Sequence, residues 1–217
     1  MHPNDILNIL GKPDFCQQLQ HFIQDQLQDS SPESDTASSS SMLPALPTKI
    51  ATYASAVATF YAPSDISGIG GMRSERIRAV DTWRHGNGWN DCMFINTDPT
   101  QPGMRGLDVT CTRLFFLFVH EQVKYFCAFV EWFSQIGDCA DENMGMWSVE
   151  VEIFEDGTPN SSIIHLDSVV QLAHLLPIYH DMPTPSRHRL NFTQSLDTFT
   201  TFYVNKYANH HTFEIAF

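Results

Sequence analysis

Apolar residues recur at helical spacing near the N-terminus, at Phe15, Leu19, Phe22, Ile23 and Leu27. Asp14 follows Pro13 and supplies an acid at the start of this segment. The spacing predicts an amphipathic helix within residues 1–28. Residues 29–47 replace core residues with Ser, Pro and acids, which predicts a linker or disordered loop. We expect a single globular domain over residues 48–217.

The sequence signals turn to β structure beyond Gly106. Residues 107–122 and 123–135 are rich in β-branched and aromatic side chains and meet at a polar turn, which predicts a hairpin. The segment MWSVEVEIF then alternates apolar and polar residues, and the turn EDGTPN leads into SIIHLD. Residues 107–167 therefore predict four strands in meander order.

Three further segments complete the predicted fold. KIATYASAVATFYAPSD fits a helix or a buried extended segment, and SVVQLAHLLPIY fits a buried strand or a short helix that stops at Pro177. Thr193 can cap a C-terminal helix with apolar residues at helical spacing, namely Leu196, Phe199, Tyr203 and Tyr207. We expect an α+β fold: a small antiparallel β-sheet or partly open barrel, flanked by N- and C-terminal helices.

The charge of the chain is strongly acidic and unevenly placed. Its 217 residues carry 12 Lys and Arg against 25 Asp and Glu, a formal net charge of -13 that argues against binding of polyphosphate by the surface as a whole. Residues 125–186 contain ten acids and no Lys or Arg. Two explanations stay open: the solvated face of strands and turns, or a docking face for a basic partner such as a histone tail.

The remaining composition narrows the class of protein. No run approaches the roughly 18 apolar residues of a membrane helix, and the N-terminus lacks the features of a secretory leader. The five cysteines are scattered and never form C-x-x-C, which fits reduced thiols and excludes a zinc ribbon. We therefore expect a nuclear or cytoplasmic protein, not a secreted one, with no membrane partner and no cofactor.

Four of the twelve cations lie close together, at Arg73, Arg76, Arg78 and Arg84. Guanidinium groups beside an indole, here that of Trp83, are suited to phosphate contact and base stacking, so this segment is a candidate for DNA contact. Glu75 and Asp81 reduce the local positive charge. The alternative is that these arginines pair with acids of the same fold.

Histidine spacing raises the question of a metal site. His165 and Asp167 form the H-x-D half of a non-haem Fe(II) site, for which His210 or His211 would be the distal ligand. Oxygenases of this kind place a basic residue beyond the distal His, and none follows here. The alternative is a turn cap and a hydrogen-bonded strand histidine. Because no nucleophile stands in a recognisable elbow either, we assign no catalytic residue and no metal.

Aromatic residues accompany the acids of the predicted sheet: Tyr125, Phe126, Trp132, Phe133 and Trp147. Such rings can form a cage for a methylated lysine when acids line it, and they can equally form the core. The candidate partner-binding residues are accordingly Glu131, Trp132, Asp141, Glu142 and Trp147.

Five blocks between about Ala54 and Phe217 resemble, in the same order, the C-terminal region of fungal Plavaka-type transposon proteins, which are CACTA-related transposases. The blocks are AVATFYAPSDISGIGGMRSERIRA, CMFINTDPTQPGMRGLDV, CAFVEWFSQIGDCADENMGMW, SIIHLDSVVQLAHLLPIY and SLDTFTTFYVNKYANHHTFEIAF. In that family the DDE-type catalytic core lies upstream. The resemblance therefore implies a nuclear, non-catalytic accessory module for protein, chromatin or DNA contact. The strand pattern is also similar, by analogy, to BAH-like chromatin readers.

Overall fold

The computed structural model describes residues 1–29, 43–64, 66, 68–82, 86–179 and 195–217. The helices are α1 (Pro3–Leu10), α2 (Phe15–Asp29), α3 (Ser195–Thr198) and α4 (His210–Ile215). The strands are β1 (Ile50–Tyr53), β2 (Ser55–Tyr61), β3 (Met72–Val80), β4 (Trp89–Asn90), β5 (Cys92–Asn96), β6 (Leu107–His120), β7 (Val123–Ile136), β8 (Ser148–Val151), β9 (Ser161–His165), β10 (Val169–Ala173), β11 (Leu175–Pro177) and β12 (Thr201–Val204).

A long antiparallel hairpin of β6 and β7 is the centre of the fold, as its sequence pattern predicts. Its two-residue turn consists of Glu121 and Gln122, both with positive φ, which matches the right-handed twist of the strands. A bulge between Thr112 and Leu114 shifts the register halfway along β6. Each strand has fourteen residues and therefore holds two short partners end to end on its outer edge.

Two partners of β7 correct the predicted meander. The strand β8 pairs with residues 133–136 of β7, as expected, but β9 pairs with residues 127–131 of β7 and not with β8. The connection over residues 152–160 therefore moves the chain along one edge of β7. On the opposite side, β6 pairs with β5 through its first half and with β1 through its second half.

The larger sheet curls into a partly open barrel, which confirms the predicted fold class. Its strand order is β10-β5-β6-β7-β8-β12-β11, and β10 and β11 follow each other directly along the chain around His174. Burial of apolar side chains inside this sheet drives its curvature. The buried core of the barrel consists of Cys92, Phe94, Met104, Val109, Cys111, Phe133, Trp147, Val149, Ala173, Phe199, Phe202, Val204 and Ala216.

A three-stranded sheet, in the order β2-β3-β4, packs on one side of the barrel. Ile77 and Ala79 of β3 are buried against Met93, Phe115 and other apolar residues of the larger sheet. The segment KIATYASAVATFYAPSD thus forms the strands β1 and β2 and is extended, not helical, but most of its residues are half-buried or exposed and not buried as predicted.

The N-terminal helices pack on the other face of the sheet. The ring of Phe15 lies edge-on to the rings of Phe116 and Phe129, each with its centroid 5.6 Å away. The predicted helix is present as α2, and α1 precedes it. Gly11 ends α1 in the left-handed conformation. The division at residue 28 stays a prediction, and residues 30–42 of the predicted linker lie outside the described part of the chain.

The C-terminal segment departs from its predicted helix. After the single turn of α3, residues 201–204 form β12, which pairs with β8 and β11. Phe202 and Val204 alternate toward the core, and the gain from two-sided strand pairing outweighs the helical spacing of the tyrosines. Thr193 lies outside the described residues. SVVQLAHLLPIY forms β10 and β11, so its strand reading is confirmed.

Candidate interaction site

Residues 150–160 form a narrow hairpin, here called the acidic hairpin, between β8 and β9. The Phe154 amide donates to the Thr158 carbonyl at 2.9 Å, and the Gly157 amide donates to the Phe154 carbonyl at 2.9 Å. Gly157 has a φ of +82°, which glycine adopts at little steric cost. The base of the hairpin is held on β7, where the Glu152 amide donates to the Trp132 carbonyl at 3.0 Å.

The tip of the acidic hairpin is fixed by one carboxylate. Asp156 accepts hydrogen bonds from the hydroxyl of Thr158 at 2.6 Å and from its amide at 2.9 Å. The hydroxyl bond, followed by the amide bond, lowers the pKa of Asp156. The hairpin therefore presents a fixed, ionised tip to solvent.

The first acid of the acidic hairpin, Glu150, has neutral neighbours in the sheet. Glu150 lies in register between Ser134 of β7 and Thr201 of β12. Glu150, Glu155 and Asp156 are exposed. The same hairpin exposes two large apolar side chains, Ile153 at 51% and Phe154 at 53%. The acidic hairpin therefore exposes apolar area and negative charge side by side.

A cavity of about 260 Å³ opens beside the acidic hairpin at one end of the barrel. Its walls are mostly apolar and include Trp132, Phe133, Val151, Ile153, Pro159, Leu196 and Phe199. Thr200 lies at the exposed part of this wall. The cavity, here called the barrel-end pocket, thus shares residues 151, 153 and 159 with the acidic hairpin.

An ion cluster lies at the base of the barrel-end pocket. Glu131, 7% exposed, accepts from Arg113 through Nε at 2.8 Å and Nη2 at 2.6 Å, and its other oxygen lies 3.1 Å from Lys12 Nζ. With its amide oriented to satisfy both neighbours, Asn90 accepts from Arg113 Nη1 at 3.1 Å. One carboxylate therefore faces two cations.

The candidate partner-binding residues are divided between three places. Glu131 and Trp132 both line the barrel-end pocket, where the Trp132 indole donates to the Ser162 hydroxyl at 2.7 Å. Trp147 is 4% exposed in the barrel core. Asp141 and Glu142 lie in the loop after β7, in which Asp141 accepts from two backbone amides. The binding role of these residues stays a prediction.

Of the five aromatic residues proposed for a cage, Trp132 and Phe133 line the barrel-end pocket, and Tyr125, Phe126 and Trp147 do not. Phe133 and Trp147 belong to the barrel core. Tyr125 stacks on Phe118 with ring centroids 5.1 Å apart, beneath α2. Phe126 is exposed and Trp132 packs on the side of the three-stranded sheet.

The predicted arginine cluster is spread over both faces of β3. Arg73 bonds Glu75 through Nε at 3.2 Å, whereas Arg76 donates to the Ser55 hydroxyl at 2.9 Å from the opposite face. Arg78 lies 3.7 Å from Asp91 and above the ring of Trp89. Arg84 falls outside the described residues. DNA contact through these arginines stays a prediction.

The histidines of the oxygenase alternative lie in two separate interactions. His165 Nδ1 is 3.2 Å from Asp167, whose side chain is 91% exposed. His211 stacks on Phe60 with centroids 4.9 Å apart and lies 3.7 Å from Glu214. Within the described residues, no group of three or more His, Cys, Asp or Glu side chains is arranged to hold a metal ion.

Sequence reasoning missed Lys12, Arg113 and the pocket role of Ile153. One signal was available for Arg113, which is the lone Lys or Arg of the predicted strand over residues 107–122. Counting back from the turn at residues 121–122 places it close to Glu131 across the hairpin.

No protein-family model, curated protein or solved structure matches the chain. In the parts of the chain that the structure describes, no helix is long and apolar enough to cross a membrane.

Proposed function

We propose that this chain is a non-catalytic interaction module that binds a basic protein segment, such as a histone tail, through the acidic hairpin. The observation that carries the proposal is the exposure of Glu150, Glu155 and Asp156 together with Phe154 on one fixed hairpin. An accessory module of a transposon-derived protein, as the sequence resemblance implies, would need such a surface to meet chromatin or another chain.

Electrostatics favours a basic partner at this surface. Glu150 has neutral neighbours on both flanking strands, and residues 125–186 of the sequence contain no Lys or Arg. Uncompensated charges raise the rate of encounter with a partner of opposite sign, and this effect weakens with salt. The exposed ring of Phe154 adds apolar area that a partner can cover.

The rigidity of the surface lowers the cost of binding. The hydrogen bonds of Asp156 and the backbone bonds of Phe154 fix the hairpin before a partner arrives. Less conformational entropy is then lost on association. A binding surface of this kind needs no catalytic group, in keeping with the expectation of a non-enzyme.

The test is a peptide-binding measurement at two salt concentrations. A fluorescent peptide of alternating Lys and Ser is titrated with the protein at ionic strengths of about 0.01 M and about 0.1 M, where the Debye lengths are about 30 Å and about 10 Å. We expect saturable binding that weakens at the higher ionic strength. A peptide of alternating Glu and Ser is the control and should not bind. Failure of the Lys peptide to bind at low salt would contradict the proposal.

A further inference from the structure

We infer that the barrel-end pocket receives one neutral apolar side chain of the basic segment, so that the module recognises Lys- and Arg-rich sequences that carry a Leu-like anchor residue. This inference rests on the proposed function and adds to it a sequence preference. Three properties of the pocket carry it: its size, the charge at its base, and the wall that it shares with the acidic hairpin.

The size of the pocket suits one side chain. Its volume of about 260 Å³ exceeds the roughly 150 Å³ of an apolar cavity that accommodates benzene. It falls below the range of roughly 300 to 1,000 Å³ that is usual for pockets holding whole cofactors or drug-sized ligands. A Leu, Met or Phe side chain fits these limits.

The charge at the base of the pocket selects against a cation. Both carboxylate oxygens of Glu131 already have cationic partners, at 3.1 Å from Lys12 and 2.6 Å from Arg113. A Lys or methylated lysine that entered would find this carboxylate already paired and would lose its own hydration. An apolar group has no hydration shell of this kind to lose, and it gains by contact with Phe133 and Phe199.

The wall shared with the acidic hairpin brings the two kinds of contact within reach of one short peptide. Ile153 lines the pocket, and Glu152 and Glu155 lie within two residues of it. Two residues of extended chain span about 7 Å. Cationic residues beside the anchor can therefore face these carboxylates while the anchor side chain enters the pocket.

The test compares three peptides of alternating Lys and Ser whose central residue is Leu, Ala or trimethyl-lysine. We expect the Leu peptide to bind about tenfold more tightly than the Ala peptide, because its additional carbon atoms become buried. The trimethyl-lysine peptide should bind no more tightly than the Ala peptide. Dissociation constants are measured by fluorescence anisotropy, and circular dichroism confirms that each variant is folded.

Variants of the pocket wall test whether the preference for the Leu peptide arises at the barrel-end pocket. Thr200→Trp should fill the pocket from its exposed wall, and Ile153→Ser should remove apolar contact; each should reduce the preference for Leu to about twofold or less. Val57→Ser is the matched control, since Val57 is 54% exposed, close to the 51% of Ile153, but lies on β2, outside the pocket wall and the acidic hairpin. This control should retain the tenfold preference.

The outcomes separate the inference from the proposed function. Equal binding of the Leu and Ala peptides, or a preference that survives in both pocket variants, overturns the pocket assignment and leaves the acidic hairpin as a docking surface. Tighter binding of the trimethyl-lysine peptide than of the Leu peptide shows a cation as the occupant and overturns the inference. Absence of binding by all three peptides overturns the proposed function and the inference together.

Discussion

Lys12 Nζ lies 3.1 Å from a carboxylate oxygen of Glu131, and this contact joins the turn between the two N-terminal helices to the middle of β7. Glu131 lies on the strand between Phe129, which packs under the helices, and Phe133, which packs inside the barrel. Arg113 holds the second oxygen of the same carboxylate. The helical layer and the barrel therefore share one buried ion cluster.

Substitution of Glu131 by Gln should destabilise the protein. Two cations would lose their shared anion in a largely buried place, which costs about 3 to 5 kcal/mol for fully buried pairs. Lys12 and Arg113 keep some contact with water, with side chains 20% and 27% exposed, so we expect a loss of about 2 to 3 kcal/mol. Urea unfolding measures it. The control is Asp167→Asn in an exposed pair, which should change stability by about 0.5 kcal/mol or less. A loss at Glu131 as small as that of the control would contradict a stabilising role for the ion cluster.

Removal of the Phe15 ring should weaken the attachment of the helices. This residue is fully buried between α2 and the rings of Phe116 and Phe129, and truncation of such a side chain to Ala costs about 3 to 5 kcal/mol. Gln17→Ala on the exposed side of the same helix is the control, with an expected change within about 0.5 kcal/mol. Urea unfolding measures the free energy of unfolding of both variants. Equal stability of the two would show that the helical layer does not contribute to the fold.

The loss of one hydroxyl should raise the pKa of Asp156. In the native hairpin the Thr158 hydroxyl bond lowers that pKa from its ordinary value of 3.8. Because the folded pKa is depressed, the bond stabilises the hairpin above pH 3.8, and this contribution is lost as the pH falls through the folded pKa. Thr158→Ala should move the pKa back toward 3.8, as measured by NMR titration of the carboxyl carbon.

The chain contains a control for that titration. Asp98 accepts from the hydroxyl and amide of Thr100 at 2.6 and 2.9 Å, the same distances as in the hairpin, and its pKa is lowered for the same reason. In Thr158→Ala the pKa of Asp98 should stay unchanged. A shift of both carboxyls, or of neither, would contradict the Thr158 hydroxyl bond as the local cause of the lowered pKa of Asp156.

Exposed cysteine thiols should be alkylated before buried ones. The pKa of the Cys127 thiol is raised by burial, and that of Cys92 is raised well above its usual range, first by a hydrogen bond with Cys111 and then by burial. Cys139 is exposed in the loop after β7. Since thiolates react and buried thiols do not ionise readily, iodoacetamide should label Cys139 in the native protein and reach Cys92, Cys111 and Cys127 only after unfolding. Mass spectrometry of peptides gives the order in which the cysteines are labelled. Labelling of Cys127 in the native protein would contradict its burial.

The local sequence pattern predicted the central hairpin of the fold but not the C-terminal strand β12. The long hairpin follows from two segments rich in β-branched and aromatic residues on either side of a polar turn, and both signals are local. The strand β12 was predicted as part of a helix because Tyr203 and Tyr207 fall at helical spacing, while Phe202 and Val204 also alternate as a strand requires. Only pairing with β8 and β11 decides between the two, and local spacing does not contain that information.

The candidate site was also predicted only in part, because some of its contacts join residues that are far apart in the sequence. Glu131 and Trp132 were singled out as an acid beside an aromatic residue, and both line the barrel-end pocket. The partner of Glu131 at Lys12 comes from the opposite end of the chain, beyond the reach of any motif. The division of the N-terminal helical segment into α1 and α2 was not predicted, although Pro3 at the first turn of α1 and Gly11 at its end are local signals of a short helix.

The central claim is that a basic segment binds at the acidic hairpin. The most direct test removes three negative charges either from the acidic hairpin or from other surfaces. One variant carries Glu150→Gln, Glu152→Gln and Glu155→Gln. The control removes three acids elsewhere, with Asp25→Asn, Asp81→Asn and Glu121→Gln, and has the same net charge. Binding of the alternating Lys and Ser peptide to both is measured at an ionic strength of about 0.01 M. We predict at least about a tenfold loss of affinity in the hairpin variant and less than about a threefold loss in the control, because close charges dominate at contact. Equal losses in the two variants would contradict the claim, since binding would then follow net charge and not the hairpin.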